Sequence, residues 1–300
     1  MYDIIIIGAG PAGLTAAIYA RRASRKTLVL EANAYGGQII NTLEIENYPA
    51  EKNISGFDLA TKMYDQAKDL GAEIKFERAI QIRNDGDKKE VKTEEDVYYG
   101  KAVIIATGSS NRKLGLLGED ELVGKGISYC ATCDGAFYKD KIVAVNGGGN
   151  TALEDAIYLC DVAKKVYLIH RRSEFRGDDL LVERLKKKNN VDFILDSTIV
   201  KLNADGKLQS VVIENRDGKK REIKVDGLFV AIGRIPENKE FENLVELDEA
   251  GYVIADENCA TNESGIFVAG DNRTKSVRQL VTATADGAIA ATEAIKNMCI

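Results

Sequence analysis

Proline is scarce in this chain, three among 300 residues, while apolar residues make up 45% and charged residues 29%. That balance excludes collagen-like and disordered classes. No uncharged apolar run approaches the roughly 20 residues that a membrane span needs. The start, Met1-Tyr2-Asp3 followed by four isoleucines and Gly8, has neither a basic n-region nor a cleavage site. The expected location is therefore the cytoplasm. Cysteine occurs five times, at 130, 133, 160, 259 and 299, an odd and sparse set unlike a secreted disulfide framework. Histidine occurs once. A tetrahedral zinc site needs four ligands, and with a single C-x-x-C and no paired histidine none can be assembled. A formal net charge of −6 leaves no basic footprint for nucleic acid. What remains is a globular chain long enough for two domains of about 150 residues each.

The isoleucine run of residues 4–7 is short, β-branched and closed by glycine, as in a parallel strand covered on both faces. Gly8-Ala9-Gly10-Pro11-Ala12-Gly13 follows, then an alanine-rich helical stretch from Leu14 to Arg22. A G-x-G-x-x-G between a strand and a helix has a mechanical reading. Gly8 makes the turn, Gly10 lets backbone approach a pyrophosphate, and Gly13 allows close helix packing. Backbone N–H groups at the helix start then face the phosphates. The next strand, Thr27 to Leu30, ends in Glu31, where a carboxylate accepts hydrogen bonds from an adenosine ribose.

The module recurs. Lys141 to Asn146 reads as a strand, followed by Gly147-Gly148-Gly149-Asn150-Thr151-Ala152 and an amphipathic helix to about Ala163. Its next strand, Lys165 to Ile169, ends in His170-Arg171-Arg172, and eighteen positions separate Gly13 from Glu31 and Ala152 from His170 alike. A carboxylate repels a ribose 2′-phosphate, whereas Arg171, Arg172 and Arg176 bind one through charge-assisted hydrogen bonds. The second module thus suits NADPH and the first a cofactor with a free 2′-hydroxyl, such as FAD. A solvated basic loop is the plainer alternative for His170 to Arg172.

Each module also ends alike. Strand-like residues from Glu90 to Tyr99 lead into Lys101 to Ala106, Thr107 and Gly108, and Val211 to Val225 lead into Leu228 to Gly233. The expected architecture is α/β, with two Rossmann-like, three-layer ββα nucleotide-binding domains, the second inserted into the first. Hydrophobic patterning lapses in Asn111 to Gly126 and in Arg234 to Asn238. We expect an FAD-binding domain of residues 1–112 and 243–300 and an NADPH-binding domain of residues 113–242. A further strand, Gly265 to Ala269, ends at Gly270-Asp271 and belongs to neither module by order alone.

Between the modules lies Tyr129-Cys130-Ala131-Thr132-Cys133-Asp134-Gly135. Two cysteines three apart at a helix start can close a small disulfide, and the helix dipole favours a thiolate there. Two incidental buried cysteines are the alternative. Cys160, Cys259 and Cys299 read as bystanders. Exchange chemistry needs an acid for the leaving sulfur, and with His170 placed at a nucleotide phosphate, Asp134 is the leading candidate. A helix N-cap is its competing role.

Taken together, Gly8 to Gly13, Gly36-Gly37-Gln38, Asn47-Tyr48-Pro49, Cys130-Ala131-Thr132-Cys133-Asp134, Gly147 to Ala152, His170-Arg171-Arg172 with Arg176, and Gly270-Asp271 with Arg278-Gln279 carry a resemblance. The chain resembles the low-molecular-weight bacterial thioredoxin reductases, NADPH- and FAD-dependent pyridine nucleotide-disulfide oxidoreductases, over nearly its whole length. Asn146 departs from the pattern, being polar where such strands end in an aliphatic residue. The resemblance implies electron flow from NADPH through FAD to a Cys130–Cys133 disulfide and on to thioredoxin, with Cys133 meeting the flavin C4a and Cys130 attacking the partner. It also implies that Gly36, Gly37 and Gln38 pass near the isoalloxazine, that Asn47 hydrogen-bonds it, and that Asp271 holds the ribityl chain. The FAD set is completed by Arg278 and Gln279, and relatives are commonly homodimers. The helix from about Gln279 would direct its positive end at the reduced flavin.

Cys133 and Gly147 lie only fourteen positions apart, so the inserted domain carries both electron donors, and domain rotation about two short connectors is the expected way to present each in turn. Two rivals stand beside this reading. One is a flavin-dithiol reductase fed by ferredoxin or serving a peroxiredoxin-like partner. The other is a non-catalytic nucleotide-binding redox sensor, which multiple turnover with thioredoxin would remove.

Overall fold

A computed structural model of the chain describes residues 1–42, 44–85 and 87–298. Cys299, read above as a bystander, lies outside them. In chain order the first segment comprises β1 (Tyr2–Ile7), α1 (Pro11–Arg22), β2 (Thr27–Leu30), α2 (Gly56–Asp69), β3 (Glu73–Lys75), β4 (Ala79–Asp85), β5 (Lys88–Thr93) and β6 (Val97–Ile105), followed by the connector strand β7 (Ser109–Asn111). Next come β8 (Ile127–Ser128), α3 (Ala131–Asp134), β9 (Ile142–Gly147), α4 (Asn150–Val162), β10 (Lys165–Ile169), α5 (Asp179–Lys186) and β11 (Val191–Ile194). A meander of β12 (Ser197–Asp205), β13 (Lys207–Asn215) and β14 (Lys220–Lys224) precedes β15 (Gly227–Ala231). The return connector is β16 (Arg234–Pro236), and the chain closes with β17 (Ile266–Val268) and α6 (Leu280–Asn297).

Residues 1–110 with 235–300 form one compact unit and residues 111–234 another, inserted in it. The two crossings pair as a two-stranded ribbon of β7 and β16. The return crossing falls before Ile235, inside the Arg234 to Asn238 stretch where patterning lapses and eight residues ahead of the 242/243 limit expected for the inserted domain, and the outward crossing falls two residues before 112/113. The polar segment 235–242 looks like a linker in sequence but is anchored in the first unit. Asn238, 1% exposed, donates to the carbonyls of Gly251 and Asn272 at 2.9 and 2.8 Å, and Phe241 is buried with Val245 and Val253.

In the first unit β3-β2-β1-β6-β5-β4 form one sheet, and β17 pairs in parallel with the second half of β6. This settles the strand that order alone left unassigned. β6 does two jobs, its Val97–Gly100 half pairing antiparallel with β5 and its remainder lying between β1 and β17. The all-apolar run of β1 is explained by its two covered faces. Ile4 and Ile6 pack with Leu14, Ala16 and Ala17 of α1, while Ile5 and Ile7 pack with Ile82, Val91 and Tyr98 of the meander side. Each of these four isoleucines is at most 4% exposed, a burial that stabilises by about 2 kcal/mol per side chain.

The second unit repeats the plan with a detached meander. β11-β10-β9-β15-β8 form a parallel sheet, and β12-β13-β14 a separate antiparallel one. Val143 and Val145 face α4, whereas Ala144 and the β15 residues Leu228 and Val230 face Val211, Ile213 and Ile223 of the meander. Helices, parallel sheet and meander are therefore the three layers of each unit.

Candidate functional site

The first unit's cradle begins where β1 stops. Gly8 has φ +108°, and a Cβ there would lie 2.3 Å from the Ala106 carbonyl oxygen, so only glycine turns between the ends of β1 and β6. A Cβ on Gly13 would sit 1.9 Å from the Gly8 oxygen. Gly10 differs. It is the extended N-cap of α1, and a Cβ there would meet nothing nearer than the Cα of Gly37, at 3.9 Å. Open space thus lies above the helix start, where Pro11 removes no needed donor and no acidic side chain opposes an anion. Ala12 is overlaid by α6, whose Gly287 would place a Cβ 2.1 Å from the Ala12 carbonyl.

Glu31 reaches back to this turn, its two carboxylate oxygens accepting from Ala9 N at 2.7 Å and Asn33 N at 2.9 Å. Each oxygen retains a lone pair for a ribose hydroxyl. Gly36 and Gly37 both have positive φ, and Gly37 backs onto Gly10. Gln38 is exposed on the short turn of helix Gly37–Asn41 that follows. Two further predicted residues 232 positions apart are brought together, Asn47 donating to Oε1 of Gln279 at 3.3 Å. Gln279 caps α6 through reciprocal bonds with Thr282. Gly270 lies with its α-carbon face on Ala12, and a buried ion cluster holds it, Asp286 of α6 accepting from Gly270 N at 3.0 Å and pairing with Arg273 and Lys275. Arg278 braces the same loop, stacking 4.0 Å over the Tyr252 ring and donating to the carbonyls of Asp271 and Arg273. Thr107 and Gly108 close the cradle, with Thr107 Oγ1 accepting from Asn272 at 3.1 Å. An open glycine cradle at an uncharged helix start, with a carboxylate beside it, fits a dinucleotide with a free 2′-hydroxyl, as FAD has.

In the second unit Gly147 is held by backbone, a Cβ there meeting the Ala231 oxygen at 2.3 Å and Ala152 Cβ at 2.6 Å. Gly149 is the open position, an extended N-cap of α4 with nothing within 4 Å of an added Cβ. Asn150 and Thr151 begin the helix, and Asn150 Oδ1 accepts from Asp178 N at 2.7 Å. The basic loop folds back on this turn through Arg176 N, which donates to Gly148 O at 2.7 Å. Arg171, Arg172 and Arg176 are exposed, and among the described residues none of their guanidinium groups is in an ion pair. Three unpaired cations beside an open glycine turn fit a 2′-phosphorylated dinucleotide such as NADPH.

His170 behaves differently from its neighbours. It is 5% exposed, stacked on Phe175 at 5.4 Å, with Nε2 3.1 Å from the Glu174 carbonyl oxygen. Burial, joined by the three arginines, lowers its pKa below the ordinary histidine value. The sequence places His170 with Arg171 and Arg172 at a phosphate, whereas its ring forms the floor of the glycine turn. Asn146 is half-buried in β9 between Ile169 and Val230.

The sulfurs lie in the second unit. β8 ends at Ser128, Cys130 is the N-cap of α3, and Cys130 and Cys133 form a disulfide with Cα atoms 5.3 Å apart. The alternative of two incidental thiols is excluded. Asp134 does not cap the following turn. Its Oδ2 instead accepts the hydroxyl of Ser128 at 2.6 Å, and burial raises its pKa while that hydrogen bond lowers it. Cys160 and Cys259 are buried free thiols, pushed up to about 11 and about 12 chiefly by burial, and so are poor nucleophiles. Two further residues brace the segment that carries the disulfide. Ser128 is one. Glu119 is the other, a carboxylate 3% exposed that accepts from Leu114 N, Gly115 N and the Tyr129 hydroxyl, fixing the approach to Cys130. A serine two residues before the first cysteine was the available signal for Ser128, whereas nothing local marks Glu119.

Two dinucleotide cradles on Rossmann-like units, one of them carrying a redox disulfide, define a nucleotide-linked disulfide oxidoreductase. The family model described as pyridine nucleotide-disulphide oxidoreductase matches residues 2–287, and the chain belongs to that family. More particularly, it is 46% identical over 298 residues to the thioredoxin reductase of Listeria monocytogenes serovar 1/2a, covering 99% of this chain and 93% of that protein. The crystal structure of thioredoxin reductase from Streptococcus pyogenes MGAS5005 matches with a TM-score of 0.95 at 42% identity, covering 99% of this chain and 98% of that one. The crystal structure of Lactococcus lactis thioredoxin reductase in the FR conformation matches with a TM-score of 0.69 at the same 42% identity, covering 100% of this chain and 99% of that one.

Proposed function

We propose that this chain is a thioredoxin reductase, drawing electrons from NADPH and delivering them to the disulfide of a thioredoxin. The observation that carries the reading is the Cys130–Cys133 disulfide in the unit that also bears the second nucleotide turn. Bound FAD supplies the relay of two electrons from NADPH to that disulfide. On our reading residues 1–110 with 235–300 bind FAD and residues 111–234 bind NADPH. Glu31 and Gly8 to Gly13 take the adenosine diphosphate half of FAD, Gly36 to Gln38, Asn47 and Gln279 border its ring, and Asp271 holds the ribityl chain. Arg171, Arg172 and Arg176 select NADPH by its 2′-phosphate.

In the reduced protein Cys130 is the attacking thiolate. It displaces one sulfur of the partner disulfide, and Asp134 gives that leaving sulfur a proton. The Cys133 thiol then passes its proton to Asp134 as it attacks Cys130 Sγ. The internal disulfide re-forms, and the partner leaves with both electrons. Because Cys133 and Gly147 share one unit, the unit turns about its two paired connectors between half-reactions. Two solved relatives at equal 42% identity match this chain with TM-scores of 0.95 and 0.69, so they differ from one another by more than sequence divergence accounts for.

We place the enzyme in the cytoplasm, where NADPH and a reducing poise keep Cys160 and Cys259 as thiols; no described helix is long and apolar enough to cross a membrane. Tyr19 of α1 and Val281 and Ile289 of α6 are exposed apolar residues, and we assign this face to a homodimer. Loss of the dimer in Ile289→Glu, read by sedimentation, tests that assignment. Anaerobic titration with NADPH tests the main reading. The wild type takes up about four electrons and Cys133→Ser about two, one two-electron couple fewer. Equal uptake by the two would refute it.

A further inference from the structure

Ser128 is the last residue of β8, 3% exposed, and sits between the redox disulfide and its neighbouring acid. A serine hydroxyl offers one proton and two lone pairs. Cys130 N donates to one lone pair at 3.1 Å. Two acceptors compete for the single proton, Oδ2 of Asp134 at 2.6 Å and the Cys130 carbonyl oxygen at 3.3 Å. With Asp134 ionised the proton points to the carboxylate, the shorter and charge-assisted bond. With Asp134 protonated, the carboxyl itself donates to the second lone pair of Ser128, and the hydroxyl turns to the Cys130 carbonyl. The buried Ser128 hydroxyl therefore has a partner for its proton in either charge state of Asp134.

We propose that Ser128 positions Asp134 for proton transfer in the exchange reaction, its hydroxyl turning between the Asp134 carboxylate and the Cys130 carbonyl as that carboxyl loses or gains its proton. The inference rests on the reading of Asp134 as the acid. The titratable side chains facing this corner are Tyr138 on the following turn, Asp226 through Tyr138, Tyr158 of α4 and the two cysteines. Among the described residues Asp134 has no ion pair. In the exchange, the proton Asp134 gives to the departing partner sulfur is replaced by the one it takes from the Cys133 thiol, so Ser128 turns once in each direction per turnover and no proton is gained or lost on the protein.

The test is a stopped-flow pH profile of the NADPH-reduced holoenzyme reacting with oxidised thioredoxin. In the wild type the rate falls on the alkaline side as Asp134 loses its proton. Asp134→Asn abolishes that limb. Ser128→Ala moves the limb to higher pH, because the bond that lowers the Asp134 pKa is gone, and lowers the plateau by about tenfold. Ser128→Thr and Ser128→Val have equal volume and differ in the hydroxyl, so retention of the wild-type limb in the first and its displacement in the second decide the matter even if the alanine variant folds poorly. An unmoved limb in Ser128→Val, with the limb lost in Asp134→Asn, overturns the role of Ser128 alone. A limb that survives in Asp134→Asn overturns the acid assignment beneath it.

Discussion

The imidazole of His170 lies directly under the backbone of Gly148, where an added Cβ would come within 2.2 Å of Cε1. The ring has no room to retreat, being stacked on Phe175 and closed in by the Glu174 carbonyl. Gly148→Ala must therefore lift the glycine turn or expel the ring. The expected result is a rise in KM for NADPH of at least about tenfold with unchanged FAD content, since the first cradle lies in the other unit. Steady-state kinetics beside the flavin-to-protein absorbance ratio check it. Wild-type KM in this variant would show that the turn does not bind the nucleotide.

The arginines make a separable prediction. A charge-assisted hydrogen bond to a phosphate contributes on the order of 1.5–3 kcal/mol, or about tenfold to a hundredfold in affinity. Replacing Arg171 and Arg172 together by alanine should raise KM for NADPH by about a hundredfold and leave KM for NADH within about twofold. An equal loss with both nucleotides would move these residues from phosphate recognition to general structure.

The modular plan was legible because both fingerprints obey local rules. Thr27–Leu30 and Lys165–Ile169 appear as strands with the predicted limits, since short β-branched runs closed by glycine or charge have few other solutions. His170 was not legible as a buried residue, for a physical reason. It follows a strand and precedes two exposed arginines, yet its burial depends on Phe175 and on a glycine 22 positions earlier. The return crossing lies within the Arg234 to Asn238 lapse, but the far side of that stretch is no linker, since Asn238 is buried and donates to the carbonyls of Gly251 and Asn272. Ser128 and Glu119 carry no motif. Their contacts arise from the Ser128 hydroxyl donating to Asp134 and accepting from Cys130 N, and from Glu119 oxygens accepting from the Tyr129 hydroxyl and the loop N–H groups, which only the folded chain displays.

Gly10 and Gly13 separate binding from folding. A Cβ at Gly13 strikes the Gly8 oxygen at 1.9 Å, so Gly13→Ala should disrupt the turn, lower Tm and yield colourless protein. A Cβ at Gly10 meets only open space, and its backbone is extended with negative φ. Gly10→Ala should therefore keep the apoprotein Tm within about 2 °C of wild type while weakening FAD by about tenfold or more. Calorimetry on stripped protein, with FAD fluorescence titration, distinguishes the two. Wild-type FAD affinity in Gly10→Ala would place the pyrophosphate elsewhere.

Asp155 of α4 sets a stability limit at alkaline pH. Burial, with a smaller contribution from Glu154 and an offset from Arg234, pushes its carboxyl up to about 7, against about 3.9 in an unfolded chain. The folded protein thus holds this proton more tightly than the unfolded one, and stability falls as pH rises across the interval between those values. Below pH about 4 both states are protonated and no penalty exists; above about 7 the penalty is complete. Asp155→Asn keeps the amide's shape and removes the ionisation. Its Tm relative to wild type should climb from pH 4 to pH 7 and then stay level, with an advantage of roughly 3 °C or more at pH 8. A difference in Tm that is constant across the range would mean that the wild-type carboxyl ionises in the folded state as freely as in water.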